Sequence, residues 1–346
     1  MYKPNYQLTN KIVKFIAEIS AAREAILDAP ILPSIEKELK LEALISRTHH
    51  STSIEGNRLS KEEVAIIVSG GKLEARPKDK KEVLNYIAAL KFVDKYGPSI
   101  KQMTPAVVLK LHGLITKGIL SARQSGNFRD KMVYVIDSFG RTVFTPPKDN
   151  EVPHLVKDLC AWLNSKEAMG FYPVLTAGIA HYEFVRIHPF IDGNGRVGRA
   201  LATLILYKLN FDIKDFFTLD DYYNEDRASY YAALQSVDPE SIDITQWLEY
   251  FVEGVMVQIN RIKKEVYELS VDKHLKEKIG GQKRLSGRQI EAFKCVRRHG
   301  KITVGELAAL TKVVTRTALR DLNKMREMGI LKLIGKTGRS AYYELA

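Results

Sequence analysis

Apolar residues recur at three- and four-residue spacing through most of this chain, a period that predicts a mainly α-helical protein. Ser60 followed by Glu63 has the form of a capping box and should start a helix through Ile67, which Gly70-Gly71 would end. Residues 78–96 keep the helical period as far as Gly97-Pro98. Thr104-Pro105 sets an N-cap before a proline at the first helical position, opening a helix through His112. Residues 152–164 and 174–187 supply further core helices, and a stretch from Thr245 to about Lys278 grows more charged after Val257, as expected of a spacer helix leaving a core. Two β-rich runs between Met132 and Pro147 flank Ser138-Phe139-Gly140-Arg141 and read as a hairpin closed by prolines. Gly280-Gly281-Gln282-Lys283-Arg284 reads as a domain boundary. The chain then divides into an N-terminal helical region (1–100), a core (101–255), a helical linker (256–282) and a small α+β domain (283–346).

The densest chemistry lies in His188-Pro189-Phe190-Ile191-Asp192-Gly193-Asn194-Gly195-Arg196-Val197-Gly198-Arg199. Pro189 should end the preceding helix and leave His188 at its exit. Gly193 and Gly195 permit backbone geometries that turn successive N–H groups towards an anion. A second helix, from about Asn194 to Leu209, adds its N-terminal dipole, so phosphate is the natural guest. Arg196 and Arg199, three residues apart, would share a face near that helix start and could grip successive phosphates.

This run resembles the signature of the Fic family, H-P-F-x-[DE]-G-N-G-R-x-x-R, at every specified position. The resemblance implies a Fic-fold helical core with a β-hairpin flap, and transfer of AMP from ATP to a protein Ser, Thr or Tyr hydroxyl. His188 would be the general base, Asp192 would hold Mg²⁺, and Asn194 with the loop amides of Gly193 and Gly195 would stabilise the α-phosphate. Arg196 and Arg199 would hold the leaving pyrophosphate, while Phe190 anchors the loop in the core. His112, where the family often carries histidine, is expected to pack.

Upstream, Ser51-Thr52-Ser53-Ile54-Glu55-Gly56 ends a helical stretch that begins near Pro33 and matches the family's inhibitory pattern [ST]-x-x-x-E-[GN], placed N-terminally as in its second class. Read alone, this is a glutamate beside a glycine C-cap. Beside the signature, it implies that Glu55 pairs with Arg199 and restrains the enzyme; some relatives use this glutamate to orient water and remove AMP. The hairpin becomes the flap to whose edge a target segment adds as a strand, with Thr145 as a flap contact. Tyr222, Tyr223 and Tyr230 are candidates for an adenine and ribose wall, or equally for core packing.

The C-terminal segment has the order of a winged helix-turn-helix: helices from Ser286, over 304–310 and over about 315–328, then strands at 330–334 and 341–345. Arg316, Arg320 and Lys324 lie at helical spacing on the third helix and could meet DNA phosphates, with Lys336, Arg339, Gly335 and Gly338 at the wing tip. Winged helices also dock proteins or dimerise, and a basic row is also simply a solvated face.

At 346 residues and 45% hydrophobic content the chain can bury a large core, and 53 Lys and Arg against 41 Asp and Glu give a net charge of +12 suited to a polyanion. No apolar run is long enough to span a membrane, and the N-terminus lacks a signal-peptide pattern, so the expected compartment is the cytoplasm. Cys160 and Cys295 suit reduced, buried thiols, and the absence of a Cys/His cluster argues against zinc. The preferred reading is an autoinhibited protein adenylyltransferase using ATP and Mg²⁺, with a protein substrate bearing a hydroxyl and with room for homodimerisation. Its rivals are a DNA-binding, nucleotide-sensing regulator and a Fic enzyme that removes AMP or transfers another phosphate-linked group.

Overall fold

In this computed structural model, which describes residues 2–29, 33–136, 139–211, 213–278, 285–335 and 341–346, the chain forms two units, Met1–Tyr267 and Glu268–Ala346. The first unit opens with α1 (Asn10–Asp28), capped by Thr9, whose hydroxyl accepts the Ile12 N–H, and buried along Ile12, Ile19, Ala22 and Ile26. Next come α2 (Pro33–Ile54), α3 (Lys61–Val68), α4 (Pro77–Tyr96) and α5 (Pro105–Ile115). The capping box of Ser60 and Glu63 is formed. Thr104 occupies the N-cap of α5 without a side-chain bond, so Pro105, with its fixed φ, carries that helix start.

Two short strands, β1 (Val135–Ile136) and β2 (Thr142–Phe144), pair antiparallel with an irregular register. Among the described residues the pairing is shorter than the β-rich runs; Asp137 and Ser138, at the end of β1, lie outside those residues. Helices α6 (Val152–Leu163), α7 (Lys166–Gly170), α8 (Pro173–Ile187), α9 (Asn194–Lys208), α10 (Asp220–Glu225), α11 (Arg227–Gln235) and α12 (Thr245–Lys278) follow. Helices α8 and α9 are buried almost all round, as expected of a central pair. Helix α9 is flanked by α2, α4 and α5, α8 by α6, and α10 packs on α2. The segments 1–100 and 101–255 therefore lie in one unit. Asn5 ties the N-terminus to the start of α12 through the Ile244 N–H.

The second unit contains α13 (Gly287–His299), α14 (Val304–Thr311), α15 (Thr315–Glu327) and the antiparallel strands β3 (Leu331–Ile334) and β4 (Tyr342–Leu345). Ile302 bridges to Tyr343 as an extra rung. Capping boxes start α13 at Ser286 and α14 at Thr303, and Phe293, Val296, Leu307, Leu322, Met325 and Leu331 fill the core. The expected boundary at Gly280-Gly281-Gln282-Lys283-Arg284 and the wing-tip residues Lys336, Gly338 and Arg339 fall largely or wholly outside the described residues. Among the described residues, no helix is long and apolar enough to cross a membrane.

Candidate active site

His188 ends α8 with φ +50°, a left-handed conformation that turns the chain sharply into Pro189 and the loop to α9. Its Nδ1 lies 3.3 Å from the Val185 carbonyl. A carbonyl only accepts, so Nδ1 carries the proton and Nε2 keeps its lone pair. Burial, chiefly, and then Arg129 lower the pKa of His188, opposed by the Val185 hydrogen bond, Glu55 and Asp192; the imidazole is therefore neutral at physiological pH.

The loop is held from below by residues the signature does not contain. Arg129, buried, donates Nε to the His188 carbonyl at 2.9 Å, Nη1 to Lys131 O at 3.1 Å and Nη2 to Pro147 O, while its own N–H reaches Pro189 O at 3.0 Å. His112 stacks on Phe190 at 3.7 Å, accepts the Gly126 N–H on Nδ1 at 2.9 Å and donates Nε2–H to Asp192 O at 3.1 Å. Burial pushes its pKa down to about 4, which keeps it a neutral strut. Phe190 is fully buried, as expected of an anchor.

Asn194 also ties the loop. Its side chain accepts Phe190 N–H at 2.9 Å and donates one amide hydrogen to Phe190 O at 2.8 Å, which leaves its second amide hydrogen. The first-turn amides of α9, which have no intrahelical acceptor, offer further anion contacts. Gly193, at φ +84°, allows the turn into α9, and its N–H is taken by Asp192 Oδ1. The Asp192 side chain is 48% exposed. Among the described residues, no group of three or more His, Cys, Asp or Glu side chains could hold a metal. A lone open carboxylate beside an anion site nevertheless fits Mg²⁺, which is usually held by one or two carboxylates together with substrate phosphates.

The two arginines do not converge. Arg196 is buried, with Nη1 3.5 Å from Glu82 Oε1 of α4 and Nη2 3.4 Å from Asp192 Oδ1. Arg199 turns towards α2 and α10. Its Nε donates to Ser51 Oγ at 2.8 Å, and Nη2 donates to Ser51 O and to Glu55 Oε1, each at 2.9 Å. Asp220 Oδ1 lies 3.2 Å from Nε. Arg47 and Ser51 share one face of α2, and Glu55 follows at the same four-residue spacing in the turn after it; Arg47, also buried, lies near Asp94 and Tyr207. Gly56, at φ +87°, caps α2, so the glycine C-cap and the Glu55 ion pair are both present. A β-carbon on Gly195 would collide with the Glu55 carboxylate, which therefore rests against the first turn of α9.

The tyrosines answer the open choice in favour of packing. Tyr223 and Tyr230 are buried, stack at 4.4 Å and join His181 and Trp247 in an aromatic core. His181 Nε2 is 3.0 Å from the Tyr230 hydroxyl, and burial lowers its pKa to about 3. Neither ring offers a face to a base here. Tyr222 is half-buried against Tyr250. Thr145 is exposed, one residue past β2. In the second unit Arg316, Arg320 and Lys324 are all exposed on α15, opposite buried Ala318, Leu322 and Met325.

Residues 102–206 match the model of the Fic/DOC family, and residues 288–336 match that of the DeoR-like helix-turn-helix domain. The chain is 31% identical over 215 residues to the protein adenylyltransferase Fic of Aedes aegypti, covering 60% of this chain and 42% of that protein. It is 30% identical over 198 residues to its counterpart in Drosophila willistoni, covering 57% and 38%. The chain thus spans about two fifths of the length of these curated relatives. Among solved structures, a Fic family protein from Desulfovibrio desulfuricans G20 superposes with a TM-score of 0.67 at 23% identity, covering 100% of this chain and 98% of that one. Fic-1 from C. elegans gives 0.60 at 24%, covering 75% and 73%. At these identities the two structures speak for the fold alone. The chain carries a Fic/DOC family domain over residues 102–206, followed by a DeoR-like helix-turn-helix domain over residues 288–336.

Proposed function

We propose that this protein is an adenylyltransferase that moves AMP from ATP to a Ser, Thr or Tyr hydroxyl of a protein and is restrained by its own Glu55. The observation that carries this reading is the pairing of Glu55 with Arg199 against the α9 N-terminus, next to a neutral His188 with Nε2 unprotonated. The attacking hydroxyl gives its proton to His188 Nε2 as its oxygen bonds to the α-phosphorus. The bond from that phosphorus to the bridging oxygen breaks, and pyrophosphate leaves. First-turn amides of α9 take charge at the phosphates, and Arg199, once free of Glu55, holds the γ-phosphate. Arg196 takes a second phosphate when it leaves Glu82. Asp192 would hold Mg²⁺, which supplies charge neutralisation across the phosphates. The hairpin of β1 and β2, with Thr145 at its exit, receives the target segment by strand addition.

A second role, DNA contact by the C-terminal unit, is favoured by the exposed row Arg316, Arg320 and Lys324. The test of the first reading is mass spectrometry of wild-type, Glu55→Gly and His188→Ala proteins after incubation with Mg²⁺ and an equal mixture of ATP, GTP, CTP and UTP. An AMP adduct that rises in Glu55→Gly and is absent in His188→Ala supports it. An adduct of another nucleotide revises the donor, and an adduct retained by His188→Ala removes that residue as the base.

A further inference from the structure

Arg199 touches two carboxylates, and they differ in their freedom to leave. Glu55 sits in the turn after α2, beside Gly56, with its side chain 27% exposed. Asp220 opens α10 with its side chain 6% exposed, and Oδ1 lies 3.2 Å from Arg199 Nε. The guanidinium is therefore held differently at its two ends. Its Nε N–H is given to the Ser51 hydroxyl, and Asp220 Oδ1 stands beside it as a buried opposite charge without a hydrogen bond of its own. At the other end Nη1 lies 3.0 Å from where a β-carbon on Gly195 would stand, over the first turn of α9, and Nη2 meets Glu55. When Glu55 swings away, Nη1 and one hydrogen of Nη2 can turn to an anion, while Nη2 keeps the Ser51 carbonyl and the buried Asp220 stays. A guanidinium fixed through Nε keeps its fork aimed, which matters because planar recognition of phosphate depends on direction.

We propose that Asp220 is a positioning residue that orients Arg199 for the terminal phosphate of the nucleotide. This rests on the reading of Arg199 as the γ-phosphate ligand. Asp220 touches no reacting atom; it acts through Arg199. Its removal should therefore weaken nucleotides in proportion to their reliance on Arg199. ATP should suffer, and AMP should not. A merely structural role, neutralising buried Arg47 and Arg199, would weaken every nucleotide alike.

The experiment is calorimetric titration of the full chain carrying Glu55→Gly with Mg²⁺ and ATP, ADP or AMP, repeated after adding Asp220→Ala or Asp220→Asn. The expected result is an ATP-over-ADP preference in the Glu55→Gly protein that falls about tenfold with Asp220→Ala, as the buried charge that holds Arg199 is lost, with AMP affinity unchanged. Asp220→Asn keeps the side-chain volume and remains measurable if the alanine variant does not fold; it should lower the same ratio by less. An unchanged ratio in the variants that fold, or a parallel loss of all three nucleotides, overturns the role of Asp220. No ATP preference in the Glu55→Gly protein itself removes Arg199 as the γ-phosphate ligand, and the inference falls with it.

Discussion

Glu55 Oε1 lies 2.9 Å from Arg199 Nη2 across 144 residues of sequence, so the turn that ends α2 closes on the first turn of α9. The carboxylate rests against the first turn of α9, and on the proposed reading it must be displaced before Arg199 can take a phosphate. Loss of its charge should free the arginine even when the side-chain volume is kept. Glu55→Gln is expected to raise nucleotide transfer about tenfold, the weight of a charge-assisted hydrogen bond, and Glu55→Gly to raise it further. Initial rates of AMP incorporation for the three proteins would check this, and equal rates for wild type and Glu55→Gln would remove the charge as the restraint.

The acid limb of the reaction should report His188. Burial sets its pKa below the ordinary 6.5, and the base works only when unprotonated. The rate should therefore stay flat between about pH 7 and 8 and fall as the pH drops through a value below 6.5. Glu55 is among the groups that raise this pKa, so Glu55→Gly should move the limb further towards acid. A log-rate against pH profile for wild type and Glu55→Gly measures both midpoints. A limb above 6.5, or one that moves towards neutral in the variant, contradicts the assignment.

The helices and the signature were legible because both are local: capping boxes, prolines and glycines act within a turn, and His188, Asp192 and Arg199 fall within one run. The roles that a sequence leaves open depend on what surrounds each side chain. Asn194 reads only as a phosphate donor until it is seen also to bond Phe190, four residues earlier, at both its N–H and its carbonyl. Tyr223 and Tyr230 pack against His181, and Tyr230 against Trp247, on other helices, and no spacing rule within their own segment fixes which way they face. Arg129 and Asp220 were missed because their partners in the site, His188 and Pro189 for one and Arg199 for the other, lie far from them in sequence. The signal for Arg129 was present in Gly126-Asn127-Phe128-Arg129, where an arginine stands just ahead of an apolar strand run.

Arg129 gives a test of how the loop is held. It satisfies the carbonyls of His188, Lys131 and Pro147 from a buried position, and its removal leaves them without a donor. Arg129→Ala should cost about 3 kcal/mol of stability, since a buried polar group left unpaired is penalised by about 1–3 kcal/mol. Transfer should fall at least about tenfold from misplacement of His188, while ATP affinity changes little because Arg129 does not face the α9 amides. Thermal unfolding and a comparison of kcat with KM separate the two effects. A lower kcat/KM due only to KM would mean that Arg129 serves binding instead.

The C-terminal unit offers a charge test independent of the nucleotide. Arg316, Arg320 and Lys324 recur every four residues and are exposed, while Ala318, Leu322 and Met325 fill the inner face of α15. If this helix enters a DNA groove, each basic residue that meets a phosphate releases counterions, and the logarithm of affinity falls with the logarithm of salt by about 0.9 per contact. Replacing all three with Ala should weaken duplex DNA binding across sequences and reduce that slope by roughly 3. The α15 core is untouched, so the unit should remain folded by circular dichroism. An unchanged slope would show that these residues are a solvated face. Their spacing would then reflect helix solubility, and the C-terminal unit would have to act through another surface.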